Sequence, residues 1–347
     1  MIRVLIVEDS PTVLELLAHI LNSDPGIRVI GTVEDGEKAV EFAGRNKPDI
    51  ITMDIHMPGM DGFEATRKIM ETNPVPIVIV TGSASMIEME TSFRAIEAGA
   101  LCVVQKPAGI GHPDYEARAR ELIRVVKLMS EVKVVKRWAR RPARETAAYR
   151  ETAPQVPVAR LRIVAIGAST GGPPVIQKIL SELPRDFPLP VLVVQHMAAG
   201  FIQGFVEWLG QSSSLPVHMA MNGSRILPGN VYLAPEGVQM KVETNGRLAC
   251  TGDDPENGLR PSVSYLFRSV AAVFGEDAVA VLLTGMGKDG AEELRLLKER
   301  GALTIAQDEE TSVVFGMPGE AVRLNAATYV LPPEKIAGTL TRLVKKT

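Results

Sequence analysis

The sequence predicts two α/β domains, each built on a largely parallel β-sheet. Short apolar runs alternate with amphipathic stretches along most of the 347 residues. Parallel strands need crossover connections, which helices usually supply. The chain is also longer than one typical hydrophobic core, so two domains are expected. A content of 46% hydrophobic and 23% charged residues is typical of a globular protein with a substantial core.

The first domain is predicted over residues 1–125, with five strands that are each followed by a helix. In the first amphipathic stretch, apolar side chains recur at the spacing of one helix face: Val13, Leu16, Leu17, Ile20 and Leu21. The predicted strands are residues 2–7, 29–33, 50–54, 77–80 and 101–104. The predicted helices begin near residues 11, 37, 62, 86 and 113.

A linker is predicted after the first domain. The helix that begins near Pro113 is expected to run to about Arg137, and a basic, proline-bearing segment follows it. Residues 126–157 are therefore assigned to the helix end and the linker. A solvated spacer is favoured over a nucleic-acid site, because no aromatic interleaving or known binding motif accompanies the basic residues. The net charge of −3 also argues against nucleic acid as a partner.

The second domain is predicted over residues 158–347, as a doubly wound and mostly parallel sheet with helices. Its predicted strands are residues 163–166, 191–194, 231–234, 279–283 and 303–306. Its helices begin near residues 173, 200, 261, 290 and 333. A hairpin of residues 240–243 and 248–251 is expected across the Asn245-Gly246 turn.

Several classes of protein are excluded by composition. Two cysteines, Cys102 and Cys250, are too few for a disulfide framework. The apolar run after Met1 is too short, and too soon interrupted by charge, for a signal peptide. No apolar stretch approaches the ~18–20 residues that span a bilayer. A cytoplasmic protein without direct membrane insertion is therefore expected.

Three carboxylates follow predicted strands of the first domain. Glu8 and Asp9 follow the first strand, and Asp54 ends the third. Ligands of open parallel sheets bind at the carboxyl ends of strands, so these groups are expected to converge on Mg²⁺. Asp54 is then a candidate nucleophile toward a phosphoryl group, with Thr81 and Lys106 as candidate contacts to the phosphoryl oxygens. Any one carboxylate alone is about as well explained as a helix cap.

The ordered set resembles the receiver domain of two-component response regulators over residues 1 to about 125. The segment Met53-Asp54-Ile55-His56-Met57-Pro58-Gly59-Met60-Asp61-Gly62 is close to the phosphoacceptor segment of that family. The resemblance implies a flavodoxin-like (βα)5 domain in which Asp54 is phosphorylated with Mg²⁺ bound. The family usually carries an aromatic switch residue three positions before the lysine, where this chain has Val103.

A serine motif opens the second domain. Residues 167–171, Gly-Ala-Ser-Thr-Gly, match the Gly-x-Ser-x-Gly turn that exposes a nucleophilic serine, here Ser169. A glycine-rich turn of this kind suits phosphate or dinucleotide binding equally well. His196 and Asp289 also follow predicted strands, and a serine nucleophile needs such a base and such an orienting acid. The order serine, histidine, aspartate differs from that of α/β-hydrolases.

The second domain, and the chain over its whole length, resembles the chemotaxis protein-glutamate methylesterases, the CheB family. The resemblance rests on the serine turn and on five further segments: residues 195–197, 227–235, 260–263, 283–290 and 306–318. It implies that Ser169 is the nucleophile, His196 the general base and acid, and Asp289 the orienting carboxylate. The Met286 backbone amide, with Thr170, is implied as the oxyanion site. No cofactor is implied for ester hydrolysis.

The resemblance also implies a substrate, partners and regulation. The family hydrolyses γ-glutamyl methyl esters on methyl-accepting chemoreceptors, and often deamidates receptor glutamines. A CheA-type histidine kinase is expected to phosphorylate Asp54, and the unphosphorylated first domain is expected to inhibit the serine site. Departures occur on the substrate side, where Ala198-Ala199 and Gly258-Leu259 replace a usual Pro-Pro and Arg-His. Three alternatives stay open: a non-catalytic protein that docks on receptors, a phosphate- or nucleotide-binding module, and a paralogue that serves a non-chemotaxis sensory array.

Overall fold

The structure is a computed structural model that describes residues 1–82, 93–132, 134, 161–198 and 200–345. These residues form two compact units, of which the first lies before the linker and the second contains residues 161–345. The predicted helix start near Met86 and linker residues 135–157 lie outside the described residues. The predicted domain boundaries therefore stay a prediction.

The first unit has a five-stranded parallel sheet with the strand order β2-β1-β3-β4-β5. Its strands are β1 (Ile2–Val7), β2 (Ile27–Val33), β3 (Ile50–Met53), β4 (Ile77–Thr81) and β5 (Cys102–Gln105). Buried Val, Ile and Leu side chains fill the central strands, as a sheet covered on both faces requires. The predicted strand positions are confirmed to within two residues.

The helices of the first unit are α1 (Pro11–Asn22), α2 (Gly36–Asn46), α3 (Gly62–Thr72), α4 with residues 94–98 in this unit, and α5 (Tyr115–Met129). The predicted extension of the last helix to about Arg137 is wrong, because α5 ends at Met129. Backbone amides of Glu131 and Val132 donate to carbonyls three residues earlier, on Leu128 and Met129. Such tight bonds close the last turn and end the helix.

The second unit has a seven-stranded parallel sheet with the order β14-β13-β12-β6-β7-β9-β8. These strands are β6 (Ile163–Ala168), β7 (Val191–Gln195), β8 (Val217–Met219), β9 (Val231–Leu233), β12 (Ala278–Leu282), β13 (Leu303–Gln307) and β14 (Tyr329–Leu331). The hairpin is confirmed as β10 (Gln239–Val242) and β11 (Leu248–Thr251), an antiparallel pair. The edge strands β8 and β14 are additions to the prediction.

The helices of the second unit are α6 (Gly172–Glu182), α7 (Ile202–Ser212), α8 (Val263–Val273), α9 (Ala291–Glu299), α10 (Met317–Arg323) and α11 (Pro333–Lys345). Apolar side chains of α8, α9 and α10, of the hairpin and of the central strands form one core, in which Phe267 and Leu294 are fully buried. This core supports strands β6, β7 and β12, which carry the serine, histidine and aspartate segments at their carboxyl ends.

Candidate active site and phosphoacceptor site

Three neighbouring strands bring the predicted serine site together. Strand β6 pairs with β7 on one side and with β12 on the other. Ser169 follows β6, His196 follows β7, and Asp289 lies in the segment between β12 and α9. Because the strands are parallel, all three residues lie at the same edge of the sheet.

The turn that carries Ser169 is held by backbone contacts and by glycines. The Ser169 amide donates to the Thr284 carbonyl at 3.0 Å, and the Gly172 amide donates to the Ser169 carbonyl at 2.9 Å. Gly171 has a φ of +77°, a conformation that glycine adopts without strain. A Cβ on Gly285 would lie 2.7 Å from the Ser169 Cβ, so glycine there lets the two segments approach.

His196 is paired with Asp289 through one ring nitrogen. Nε2 of His196 lies 3.0 Å from Oδ2 of Asp289, and both side chains are almost entirely buried. The ring N–H is not aligned for a good hydrogen bond, since Nε2 has no hydrogen-bond partner by geometry. The Ser169 hydroxyl makes no hydrogen bond to a described residue, and such contacts often tighten only with substrate bound.

The Asp289 carboxylate lies at the beginning of α8 and accepts three hydrogen bonds there. Oδ1 accepts from the Ser262 hydroxyl at 2.8 Å and from the Ser264 amide at 3.1 Å. Oδ2 accepts from the Val263 amide at 2.6 Å. Burial alone raises the pKa of Asp289, but His196 and the serine hydrogen bonds outweigh burial and lower the pKa below its ordinary value. The carboxylate is therefore held as an anion beside the imidazole.

Ser262 and Ser264 are residues of the site to which sequence analysis assigned no role. Ser262 caps α8, because its hydroxyl also accepts from the Tyr265 amide at 3.3 Å. The Ser264 hydroxyl accepts from the Gly290 amide at 2.8 Å, directly after Asp289. A serine before an apolar helix is a sequence signal for a helix cap. The pairing of that cap with a residue 27 positions away is visible only in the fold.

The predicted oxyanion residues lie in or beside the serine turn. Thr170 is half-buried, and its carbonyl accepts from the Thr284 hydroxyl at 2.9 Å. Met286 is half-buried and follows Gly285, whose would-be Cβ contacts Ser169. Both residues therefore lie on segments that contact the Ser169 turn. Their assignment as oxyanion donors stays a prediction.

The acidic cluster of the first unit forms as predicted. One ligand atom from each of Glu8, Asp9 and Asp54 lies within 4.8 Å of the others. Glu8 and Asp54 are buried, whereas Asp9 is exposed, so the cluster opens to solvent on one side. Lys106 Nζ lies 2.8 Å from Oε2 of Glu8 and 2.8 Å from Oδ2 of Asp54. One lysine thus bridges two buried carboxylates.

The electrostatics of this cluster are coupled. The pKa of Glu8 lies above its ordinary value. Burial is the main cause of the rise, and the Asp54 charge adds to it, whereas the Lys106 hydrogen bond lowers the pKa. Burial lowers the pKa of Lys106, but its hydrogen bonds to Asp54 and Glu8 have the larger effect. The pKa of Lys106 is therefore above its ordinary value. The ammonium therefore stays charged, while the acids favour an additional cation.

The donor set suits Mg²⁺, the metal that the receiver resemblance implies. Oε1 of Glu8 accepts a hydrogen bond from Lys106 at 3.1 Å, but its buried Oε2 has no hydrogen bond of good geometry. An under-satisfied buried carboxylate oxygen beside two further carboxylates fits a hard divalent cation, which prefers oxygen ligands. The residues present therefore fit the metal.

Thr81 and Val103 lie on neighbouring strands beside the cluster. Thr81 ends β4 and is buried, and its carbonyl accepts from the Lys106 amide at 2.8 Å. Val103 lies on β5 opposite Ile79 and is half-buried against the core. The valine therefore packs where the resemblance leads one to expect an aromatic ring.

The two units define a class of protein: a receiver-type phosphoacceptor domain joined in one chain to an α/β domain with a serine, histidine and aspartate at one sheet edge. Residues 4–112 match the response regulator receiver domain, and residues 164–340 match the CheB methylesterase family. No helix in the described parts of the chain is long and apolar enough to cross a membrane.

Similar proteins extend this match to the whole chain. A protein-glutamate methylesterase/protein-glutamine glutaminase from Nitrosospira multiformis is 62% identical over 99% of this chain and 97% of its own length. A protein of the same name from Syntrophus aciditrophicus is 57% identical over 99% of this chain and 98% of its own length. The Thermotoga maritima CheB methylesterase catalytic domain is 40% identical, with a TM-score of 0.51 over 53% of this chain and 99% of that one. The chain belongs to the CheB methylesterase family.

Replacing Lys106 tests the electrostatics of the acidic cluster. Lys106→Met should lower the free energy of unfolding of the first unit by about 3 kcal/mol, because two buried carboxylates lose their shared cation. Mg²⁺ should restore part of this loss, since it binds the folded acidic cluster. Urea unfolding followed by circular dichroism, with and without Mg²⁺, measures both effects.

Lys127→Met is the matched control, because Lys127 pairs with Asp24 at 2.6 Å while 43% of the lysine side chain is exposed. Exposed pairs of this kind contribute roughly 0–1 kcal/mol. Equal destabilisation by the two variants would contradict the electrostatic interpretation.

Proposed function

We propose that this chain hydrolyses γ-glutamyl methyl esters on methyl-accepting chemoreceptors, releasing methanol, and deamidates receptor glutamines at the same carbonyl position. The observation that carries the proposal is the arrangement of Ser169, His196 and Asp289 at the ends of adjacent parallel strands, with His196 paired to a buried Asp289. The names of the full-length relatives support both reactions. They support an enzyme over a non-catalytic docking protein.

The residues divide the chemistry of ester hydrolysis among them. Ser169 attacks the γ-carbonyl while His196 takes its proton, and Asp289 stabilises the resulting imidazolium. The Met286 amide and Thr170 are assigned to the oxyanion. His196 then gives the proton to the departing methoxide oxygen, or to the amide nitrogen in the deamidation, so that methanol or ammonia leaves as the bond to the γ-carbon breaks. Water attacks the acyl-serine in the second step, and the glutamate is released.

The receiver unit is proposed to control this hydrolase. A CheA-type histidine kinase donates a phosphoryl group to Asp54, and Glu8, Asp9 and Asp54 would hold the Mg²⁺ that offsets the phosphoryl charge. Lys106 and Thr81 contact the phosphoryl oxygens. The added charge shifts the receiver toward a state that releases the hydrolase from inhibition. The substrate, on the cytoplasmic helices of the receptors, places the enzyme in the cytoplasm.

Ser169→Ala and His196→Ala should each remove nearly all methanol release from methylated receptor, a loss on the order of 10³-fold or more, because the residues act as a unit. Asp289→Asn should keep the fold but lose much of the activity, since the imidazole takes the wrong tautomer. Methanol release is measured by gas chromatography on the purified chain.

Ser181→Ala is the control for the serine variant, because its hydroxyl only bonds the Lys178 carbonyl on the surface of α6. It should keep wild-type activity. Wild-type release by Ser169→Ala would end the serine-hydrolase proposal.

Acetyl phosphate should label the chain at Asp54 only when a divalent cation is present. Asp54→Ala should abolish the label, which phosphate-affinity electrophoresis detects. Asp61→Asn is the control, because Asp61 only caps α3 through the Glu64 amide and should label like wild type. Stable labelling of Asp54→Ala would place the phosphoacceptor elsewhere.

A chain that begins at residue 158 should be more active than the unphosphorylated full chain, and phosphodonor should not change its rate. A tenfold difference needs a coupling of only ~1.4 kcal/mol, within the usual range for regulated proteins. Methanol release by both chains, with and without acetyl phosphate, measures the effect. A folded fragment that is no faster than the full chain would show that the receiver does not inhibit.

A further inference from the structure

Three glutamine side chains are buried in the described part of the second unit: Gln195 on β7, Gln239 on β10 and Gln307 on β13. Their exposed fractions are 4%, 0% and 0%. An amide group is costly to bury unless its donors and acceptors find partners. The partners of each amide therefore indicate why glutamine is present.

The amide of Gln195 bridges the nucleophile turn and the histidine. Nε2 donates to the Ser169 carbonyl at 2.8 Å and to the His196 carbonyl at 2.8 Å. A flipped amide would direct an oxygen at two carbonyl oxygens, so the assignment of Nε2 follows from chemistry. One NH₂ group thus ties the backbone of the serine to that of the histidine.

The other end of the same amide is left without a partner. Oε1 of Gln195 is buried and accepts no hydrogen bond. A Cβ on residue 172 would lie 2.2 Å from this oxygen, so Gly172 leaves space for the amide. A buried unpaired acceptor destabilises a fold, and an apolar side chain of the same size would avoid that cost. The bridge to Ser169 and His196 accounts for a glutamine here.

Gln239 supports the aspartate side of the site. Its Oε1 accepts from the Ser262 amide at 2.9 Å, and its Nε2 donates to the Leu259 carbonyl at 3.1 Å. Ser262 in turn donates to Asp289. The glutamine therefore holds the segment that leads into the cap of α8, and that cap holds the carboxylate.

Gln307 supports the segment beside the serine turn. Its Oε1 accepts from the Thr284 amide at 2.9 Å, and its Nε2 donates to the Thr311 carbonyl at 2.9 Å. The Thr284 carbonyl accepts from the Ser169 amide, and Met286 follows two residues later. Each buried glutamine thus contacts a different backbone segment that carries, or directly holds, a group assigned to the reaction.

We propose that Gln195, Gln239 and Gln307 are positioning residues that hold the serine, the histidine and the aspartate in register across three strands. The inference rests on the ester hydrolysis proposed above. Gln195 has the most direct role, since its donor group contacts the backbone of two residues of the triad. None of the three touches substrate, because all are buried, so they act on the rate of reaction and not on binding.

The test uses the full chain, phosphorylated with acetyl phosphate, and methylated receptor as substrate. Gln195→Met should lower kcat by 10- to 100-fold with KM within about twofold, because small misplacement of reacting groups costs rate at constant binding. Gln195→Leu should show the same split, since it also removes the donor. Gln239→Met and Gln307→Met should each lower kcat about tenfold. Circular dichroism and the thermal unfolding transition give the folded fraction of each sample.

Thr304→Val is the matched control on the same strand as Gln307. The Thr304 hydroxyl is buried and donates to the Ala326 carbonyl at 2.7 Å. Thr304 lies near the start of β13, whereas the serine lies at the edge formed by the carboxyl ends of the strands. The Thr304→Val variant should lose thermal stability, as the glutamine variants should, yet keep the wild-type kcat. A fall of kcat in Thr304→Val equal to that in Gln195→Met would overturn the proposal, because loss of any buried hydrogen bond would then suffice.

Failure of this inference is distinct from failure of the proposed function. If the wild-type chain releases no methanol, or Ser169→Ala still releases it, ester hydrolysis by this site is wrong. If the wild type is active and Ser169→Ala is not, but Gln195→Met keeps kcat within twofold, only the positioning role is wrong. Failure of both Gln195 variants to fold would also overturn it, since the residue would then be structural.

Discussion

The parallel alignment of neighbouring strands is the constraint on which both sites depend. A parallel strand pair directs both carboxyl ends to one edge, so residues far apart in sequence meet there. Glu8 and Asp54 meet because β1 pairs with β3, and Ser169 meets His196 because β6 pairs with β7. The crossover helices make this alignment possible and bury the sheets on both faces.

The two units stabilise buried carboxylates by different means. Asp289 receives hydrogen bonds from the cap of α8 and lies beside His196, and its pKa falls below the ordinary value. Glu8 is buried beside a second carboxylate, and burial raises its pKa although the lysine that the two carboxylates share lowers it. The first arrangement suits a permanent anion that orients a base. The second suits a site whose charge changes when a cation or phosphoryl group binds.

Local sequence patterns predicted the central strands and most helices, because long apolar runs and amphipathic periodicity are local properties. The same patterns missed β8 (Val217–Met219) and β14 (Tyr329–Leu331), which are three residues long and lie at the edges of the sheet. The predicted end of α5 was wrong because hydrogen bonds after Met129 close the last turn. No proline or glycine at that position indicates the end in the sequence. Edge pairing and the last turn of a helix depend on context that a short window does not contain.

The sequence by itself determined the fold class, the family resemblance and the candidates for the reactive groups: Ser169, His196, Asp289 and the acidic cluster around Asp54. Strand-end position and residue type gave the candidates, since chemistry depends on the side chain itself, and the family resemblance gave their roles. Only the tertiary structure decided how those groups are held. The cap of α8 contacts Asp289 through Ser262, and Gln195 bridges Ser169 and His196. Such support consists of hydrogen bonds between distant segments, and no local pattern encodes them because the partners meet only when the chain folds.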